Sequence, residues 1–467
     1  NITPEIFNKI DALGAPFIYG EAFSQRLYPN GSVGGSVVGK YNIVEEADGN
    51  GKGGTVSRNF SVGIERVFEK ELAGTPGERT YEISADGVRI PVAKEEQRLA
   101  VDGKNIRLTI NRDVQYFAQQ VVRARAEELK AEWCTAIVMD VRDGSILALA
   151  DSSTMDPGAA TIEDAADMTP RAISQNVEPG STEKMLTSSA LIEQGLTTPT
   201  SVYDVPATLT IDGQTFKDAF EHGAQRRTFS GIIHDSMNTG TVLVGQKLSK
   251  EERYNWLKKY GVGEFTGIEL TEEQGLIADW RDWDGRQQYT VLFGQGVAQT
   301  PLQTAMIFQA LGNKGVRLKP RIVDAIIDAD GTEHKRAVEP GERMVSEETA
   351  ASCLTLMENV VEQGHARPAK VTGYRVGGKT GTAEAPSEKG GYDGNTTSFI
   401  GVAPIENPQF LVAVTMQRPE GTVGTNGTTA EFSKIMEKTL HTYNVPRSTG
   451  EPELIPLFAE DSPNKTS

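Results

Sequence analysis

Pro179-Gly-Ser-Thr-Glu-Lys-Met-Leu-Thr-Ser-Ser-Ala-Leu-Ile-Glu-Gln-Gly195 reads as a tight loop feeding a helix that a glycine closes. Ser181 falls in the first turn, and Lys184, three residues on, shares its face, while Met185, Leu186, Leu191 and Ile192 point to a core. A serine hydroxyl is a poor nucleophile until a base within hydrogen-bond reach takes its proton. The spacing therefore predicts a nucleophile and its base on one turn, with the Ser181 hydroxyl touching the Lys184 amine. An ammonium cannot accept a proton, so Lys184 has to be held neutral by burial and by a second cation.

Two further strings supply the missing parts. Ser236-Met-Asn238 offers an amide, Asn238, to hold Lys184, and a hydroxyl, Ser236, to relay its proton to a leaving amine. Lys379-Thr380-Gly381-Thr382 offers the second cation, Lys379, and hydroxyls on Thr380 and Thr382 for a substrate carboxylate. If that string is an edge strand, the Thr382 N–H and the Ser181 N–H form an oxyanion hole. Taken singly each string has a plain reading: Ser-x-x-Lys is also an ordinary helix cap with a solvated lysine. Together and in this order they describe an acyl-transfer enzyme with a serine nucleophile and no catalytic histidine.

Gly373-Tyr-Arg-Val-Gly-Gly378-Lys379-Thr380 also fits the phosphate-loop pattern G-x-x-x-x-G-K-[ST]. That pattern works only when a helix leaves the loop, because the helix N-terminus and loop amides hold the phosphates. The following Gly-Thr-Ala-Glu-Ala-Pro-Ser-Glu-Lys-Gly-Gly-Tyr-Asp-Gly394 cannot be such a helix, so a nucleotide-binding reading is disfavoured.

Composition narrows the partners. A net charge of −17 argues against nucleic acid, which demands a basic surface. Cys134 and Cys353, the only cysteines, form no disulfide framework and read as buried reduced thiols; the five histidines are dispersed, so no metal and no cofactor is expected. No apolar run is long enough to span a membrane and no signal-like segment opens the chain; it begins mid-protein in character, and an anchor removed ahead of it is the expectation.

The organisation reads as α+β. Residues 1–104 are rich in glycine and charge, with short alternating stretches such as Ser32-Val-Gly-Gly-Ser-Val-Val-Gly39 and a loop at residues 48–54. A strand at Asn105-Ile-Arg-Leu-Thr-Ile110 precedes a helix at residues 112–130 that places Val114, Phe117, Ala118, Val121, Val122 and Leu129 on one face. Cys134-Thr-Ala-Ile-Val-Met139 and Ser145-Ile-Leu-Ala-Leu-Ala150 read as a hairpin, and Thr397-Ser-Phe-Ile-Gly-Val-Ala403 and Gln409-Phe-Leu-Val-Ala-Val-Thr-Met416 as two more strands. One antiparallel sheet built from both ends of residues 105–447, covered by helices, is implied. Residues 448–467 read as a polar tail, extended or disordered.

Over nearly its whole length the chain resembles a class B penicillin-binding protein, a monofunctional D,D-transpeptidase, of the septal cell-division type of actinobacteria. In the first module Arg26-Leu-Tyr-Pro-Asn-Gly31, Val37-Val-Gly39, Gly63-Ile-Glu65 and Leu72-Ala-Gly-Thr-Pro-Gly77 resemble the family's pedestal or dimerisation-like module. In the second, Glu178-Pro-Gly-Ser-Thr-Glu-Lys184, Phe220-Glu-His-Gly223, Gly294-Gln-Gly296, Thr300-Pro-Leu-Gln303, Gly378-Lys-Thr-Gly-Thr-Ala383 and Ser398-Phe-Ile-Gly401 resemble its transpeptidase domain, which includes an all-helical subdomain.

By this resemblance Ser181 is acylated, Lys184 is the base, Ser236 and Asn238 complete the proton network, and Lys379, Thr380, Gly381 and Thr382 bind the substrate carboxylate. The implied substrate is a peptidoglycan stem peptide ending in D-Ala-D-Ala. β-Lactams would acylate the same serine, septal glycosyltransferase and divisome proteins would be partners, and the place would be the extracytoplasmic face of a bacterial membrane. Two departures stand out: Glu183 puts a carboxylate next to the base, where its charge would alter the amine's proton affinity, and Met237 replaces the Asp of S-D-N. A serine β-lactamase is the nearest rival, but Glu269-Leu-Thr-Glu-Glu-Gln274 lacks the asparagine of the E-x-x-L-N string that activates a deacylating water. A catalytically idle β-lactam sensor or scaffold is the other alternative.

Overall fold

The computed structural model describes residues 2–14, 26–47, 55–80, 82, 96–387, 390–421 and 427–460. Its centre is a five-stranded antiparallel sheet of β1 (Trp133–Asp140), β2 (Ile146–Asp151), β3 (Gly377–Pro386), β4 (Tyr392–Ala403) and β5 (Phe410–Gln417). The order is β3-β4-β5-β1-β2, so the sheet does draw on both ends of the domain, and β3 is an edge. Register is continuous through the middle, with Gly401 opposite Val412 and Val412 opposite Val138.

Alternate residues of β4 face opposite layers. Phe399 meets Phe432 edge-on at 4.7 Å between ring centroids, on the helix Thr429–Thr442, whereas Val402 faces Gly312 at the end of the helix Pro301–Gly312. With both faces covered, β1, β2 and β5 are buried almost throughout, which is why they read as unbroken apolar runs and not as alternation.

The strand read at residues 105–110 is Asn105–Leu108. It pairs with Val323–Ile327 in a separate three-stranded sheet and does not join the central one. The helix after it, Arg112–Glu128, buries Val114, Ala118 and Val122 as expected, while Phe117 and Val121 are only half-buried. Polar Gln115 and Gln119 take deep positions instead. Gln115 brackets Leu149 of β2 with two backbone hydrogen bonds of 2.7 and 2.8 Å, and Gln119 accepts from Gly34 N–H at 2.9 Å and donates to Ser32 O at 3.1 Å. These amides satisfy backbone groups that apolar side chains would have orphaned.

In the first module the alternating 32–39 stretch is not a strand: Gly35–Val38 is a helical turn entered through left-handed Gly34. Tertiary packing decides this, because a Cβ on Gly35 would lie 2.0 Å from Met155 O. Gly39 and Gly63 lie against each other, a Cβ on Gly63 falling 2.6 Å from Gly39 Cα, so the two glycine strings form one contact. The loop read at residues 48–54 lies outside the described residues. The helical part of the second module is not purely helical, since it carries the antiparallel pairs Val202–Val205 with Gln225–Thr228 and Thr208–Ile211 with Gln214–Lys217. Residues 446–460 carry no helix or strand, but 455–459 dock back onto the domain. Among the described residues no helix is long and apolar enough to cross a membrane.

Candidate active site

Ser181 lies in a 3-10 turn, Gly180–Glu183, that runs into the helix Lys184–Glu193. Gly195 closes that helix in the left-handed conformation, as read. The turn is wedged against β3. Gly180 has φ +57°, and a Cβ there would sit 2.5 Å from Thr382 O; a Cβ on Gly381 would sit 2.9 Å from Pro179 O. The Thr382 carbonyl thus faces the Gly180 turn, and an amide on the same side of an edge strand faces it too. Behind the turn, Gly180 N–H donates to Gly294 O at 3.0 Å, and Gly296 N–H donates to Glu178 Oε1 at 2.9 Å, which gives Gly294-Gln-Gly296 its place.

Lys184 is fully buried, and its Nζ meets Ser236 O at 2.6 Å, Asn238 Oδ1 at 2.8 Å and Ser236 Oγ at 3.3 Å. The hydrogen bond expected between Asn238 and Lys184 is present. Lys379, also fully buried, donates to Ser236 Oγ at 2.9 Å and Thr380 O at 3.0 Å. Two of the oxygens around Lys184 are carbonyls and can only accept, so they use two N–H bonds. The third, the Ser236 hydroxyl, already accepts from Lys379 and can direct its own proton to a Lys184 lone pair. A neutral Lys184 is satisfied by this set, with a directional chain from Lys379 through Ser236 to Lys184. Electrostatics agrees: burial, and then the charge of Lys379, hold Lys184 well below the ordinary lysine range, against the pull of Asp218. Burial also pushes Lys379 down to about 7, with Asp235 opposing. Ser236 occupies the left-handed region at φ +56°, unusual for a side chain with a Cβ and a recurrent feature of functional turns.

One expected contact is absent: no hydrogen bond joins the Ser181 hydroxyl to Lys184. The amine is drawn onto Ser236 and Asn238 instead, and hydrogen bonds of this kind often tighten only when substrate binds. The expectation for Glu183 is corrected too. Neighbours on a helical turn diverge, so its carboxyl points away from the base, accepting from Gln299 Nε2 at 2.9 Å while its other oxygen is buried without a partner. Burial raises it from 4.5 to about 7. Between those values the folded state holds a proton that the unfolded chain has lost, so stability is lost as pH rises through that window. Glu183→Gln, a mimic of the protonated acid, is expected to match wild type in a melt near about pH 4.5 and to exceed it near about pH 8 by on the order of 1–3 kcal/mol.

Sequence reasoning missed Asp218 as a supporting residue. Its carboxylate accepts from Thr239 N–H at 2.9 Å, Thr239 Oγ1 at 2.6 Å and His222 Nε2 at 2.7 Å, holding the start of the helix that begins at Asn238. Phe220-Glu-His-Gly223 was the available signal. Lys379-Thr380 sits within a strand that turns into β4, with no helix after it, which excludes the phosphate-loop geometry. Glu269, the residue weighed for a deacylating carboxylate, is engaged by Ile322 N–H at 2.7 Å and Arg336 at 3.0 Å. Cys134 and Cys353 are buried free thiols, pushed up by burial. Among the described residues no group of three or more His, Cys, Asp or Glu is placed to hold a metal.

Comparison with known proteins agrees with this architecture. The penicillin binding protein transpeptidase domain family matches residues 134–437, and the penicillin-binding protein dimerisation domain family matches residues 1–108. Penicillin-binding protein PbpB of Mycolicibacterium smegmatis is 34% identical over 449 residues, covering 93% of this chain and 67% of that protein; PbpB of Mycobacterium tuberculosis is 34% identical over 417 residues, covering 86% and 59%. Among solved structures, a peptidoglycan synthetase from Bifidobacterium adolescentis superposes with a TM-score of 0.82 at 35% identity over 98% of this chain and 82% of that one. Penicillin binding protein 3 of M. tuberculosis in complex with aztreonam superposes at 0.79 and 30% identity, over 93% of each chain. The chain belongs to the class B penicillin-binding proteins, the peptidoglycan D,D-transpeptidase family of PbpB and FtsI.

Proposed function

We propose that this chain is a serine-type peptidoglycan D,D-transpeptidase in which Ser181 carries the acyl group. Lys184 takes the Ser181 proton as Ser181 attacks the penultimate D-Ala carbonyl of a stem peptide. The oxyanion is received by the N–H groups of Ser181 and Thr382. Ser236 passes the proton to the departing D-Ala amine, Asn238 holds Lys184 in place, and Lys379, Thr380, Gly381 and Thr382 receive the terminal carboxylate. That carboxylate restores charge to Lys379, so substrate binding itself sharpens the difference between the two lysines. An amine from a second stem peptide then resolves the acyl-enzyme and forms the cross-link.

The observation that carries the reading is the pair of fully buried lysines meeting at one hydroxyl, Lys379 at 2.9 Å and Lys184 at 3.3 Å from Ser236 Oγ. A merely structural lysine pair has no reason to share that position. Residues 1–104 are the pedestal and 105–447 the catalytic domain. The setting is the extracytoplasmic face of the membrane during septal wall synthesis, beside a septal glycosyltransferase and other divisome proteins; the name FtsI among the relatives favours that setting. β-Lactams compete as acylating mimics of the donor, as the aztreonam and ampicillin complexes of the mycobacterial relative suggest.

Incubation with a pentapeptide analogue is expected to release D-Ala from wild type and not from Ser181→Ala. An idle sensor or scaffold would release none, and a β-lactamase would instead turn over nitrocefin through many cycles.

A further inference from the structure

The 455–459 segment lies far from Ser236 in sequence but is joined to it by a short chain of contacts. Thr228 N–H donates to Leu457 O at 3.2 Å, Thr228 Oγ1 donates to Pro456 O at 2.6 Å, and Ala459 N–H donates to Arg226 O at 3.2 Å. Asn359 clasps Ile455 from the other side, donating to its carbonyl at 2.9 Å and accepting its N–H at 3.2 Å. The same Thr228 hydroxyl accepts from Gly231 N–H at 2.9 Å, capping the helix Phe229–His234 that leads directly into Asp235 and Ser236. A Cβ on Gly231 would fall 2.0 Å from Leu457 O, so this helix has a glycine where the segment crosses it.

The lever is Arg227. Its side chain is almost fully buried; Nε donates to Gln225 at 2.8 Å, Nη2 donates to Asp235 Oδ2, and Nη1 is buried with no hydrogen-bond partner. The Phe458 ring stacks on the guanidinium, 3.8 Å from its carbon to the ring centroid. Asp235 precedes the strained Ser236, whose carbonyl and hydroxyl hold both lysines. We propose that 455–459 is a positioning element of the active site, with Phe458 holding Arg227 on Asp235 and Asp235 fixing the turn that presents Ser236. This rests on the acyl-transfer reading given above.

A second consequence follows from charge. The groups bearing on Asp235 are Arg227, His234 and His365, and Asp235 in turn supports the proton on Lys379, beside Ser236 and Lys184. Loosening Asp235 therefore lowers the pH at which Lys379 loses its proton.

The test is acylation of the full chain by a fluorescent penicillin, followed in time across pH, for wild type, Phe458→Ala and Phe458→Trp. Phe458→Ala is expected to acylate about tenfold to a hundredfold more slowly, the scale of effect that small misplacements of reacting groups produce. The falling alkaline limb of its pH profile moves to lower pH, and Phe458→Trp, which keeps the stack, restores both. A wild-type rate constant and limb in Phe458→Ala would overturn the proposal, and so would a smaller labelled fraction at an unchanged rate constant, since that is lost folding alone. Equal slowing in Phe458→Trp would overturn it as well. Failure of wild type itself to acylate would instead overturn the functional reading on which the proposal rests.

Discussion

Replacing Lys184 by Met is expected to lower the second-order rate constant for β-lactam acylation by about three orders of magnitude while the protein still melts cooperatively. General-base transfer contributes roughly 10²–10⁴ in rate. In this site the Lys184 amine is also what pins Ser236 O and Asn238 Oδ1, at 2.6 and 2.8 Å. Methionine fills similar space but takes no proton. Stopped-flow measurement beside wild type checks the value, and a loss smaller than about tenfold would show that another group deprotonates Ser181.

Lys379→Met is expected to cost about 10²–10³ at the pH optimum, the scale of losing one preorganised electrostatic donor. Its pH profile carries the sharper test. In wild type, acylation is expected to rise with pH as Lys184 loses its proton and to fall as Lys379 loses its own, which in the unliganded protein lies at about 7. The apparent values belong to the coupled pair. Without the Lys379 charge, one of the two causes that hold Lys184 down is gone. The rising limb must therefore move to higher pH, and the falling limb must disappear. A rising limb that stayed in place would mean that Lys379 does not act on the base.

Legibility in the sequence followed the physics of each feature. The site strings were readable because chemistry dictates residue types at fixed local spacing: a 3-10 or α turn puts position i+3 beside i, so Ser181 and Lys184 could be paired without knowing the fold. That no helix follows Lys379-Thr380 was readable from the glycine- and proline-rich run after it, whereas β3 as an edge strand entered only as a condition for the oxyanion hole and was set by the sheet order. What escaped was set by tertiary contact. Gln115 and Gln119 look like surface residues on a helix, yet they are buried because backbone groups of β2 and the first module need partners there. Glu183 looked like a modulator of the base because sequence adjacency does not reveal a side chain's direction. The tail at 448–467 read from composition as extended or disordered, whereas a few hydrogen bonds to its backbone and one aromatic stack on Arg227 anchor 455–459. Resting hydrogen bonds were least legible of all: Lys184 prefers Ser236 and Asn238 to the serine it is proposed to activate.

Every role proposed above depends on acylation at the Ser181 hydroxyl. Intact-mass measurement after exposure to a penicillin, followed by peptide mapping, tests this directly. One adduct is expected per chain, equal in mass to one intact β-lactam, on the peptide containing Ser181 and absent from Ser181→Ala. An adduct on any other residue, or an unmodified wild-type chain, would contradict it.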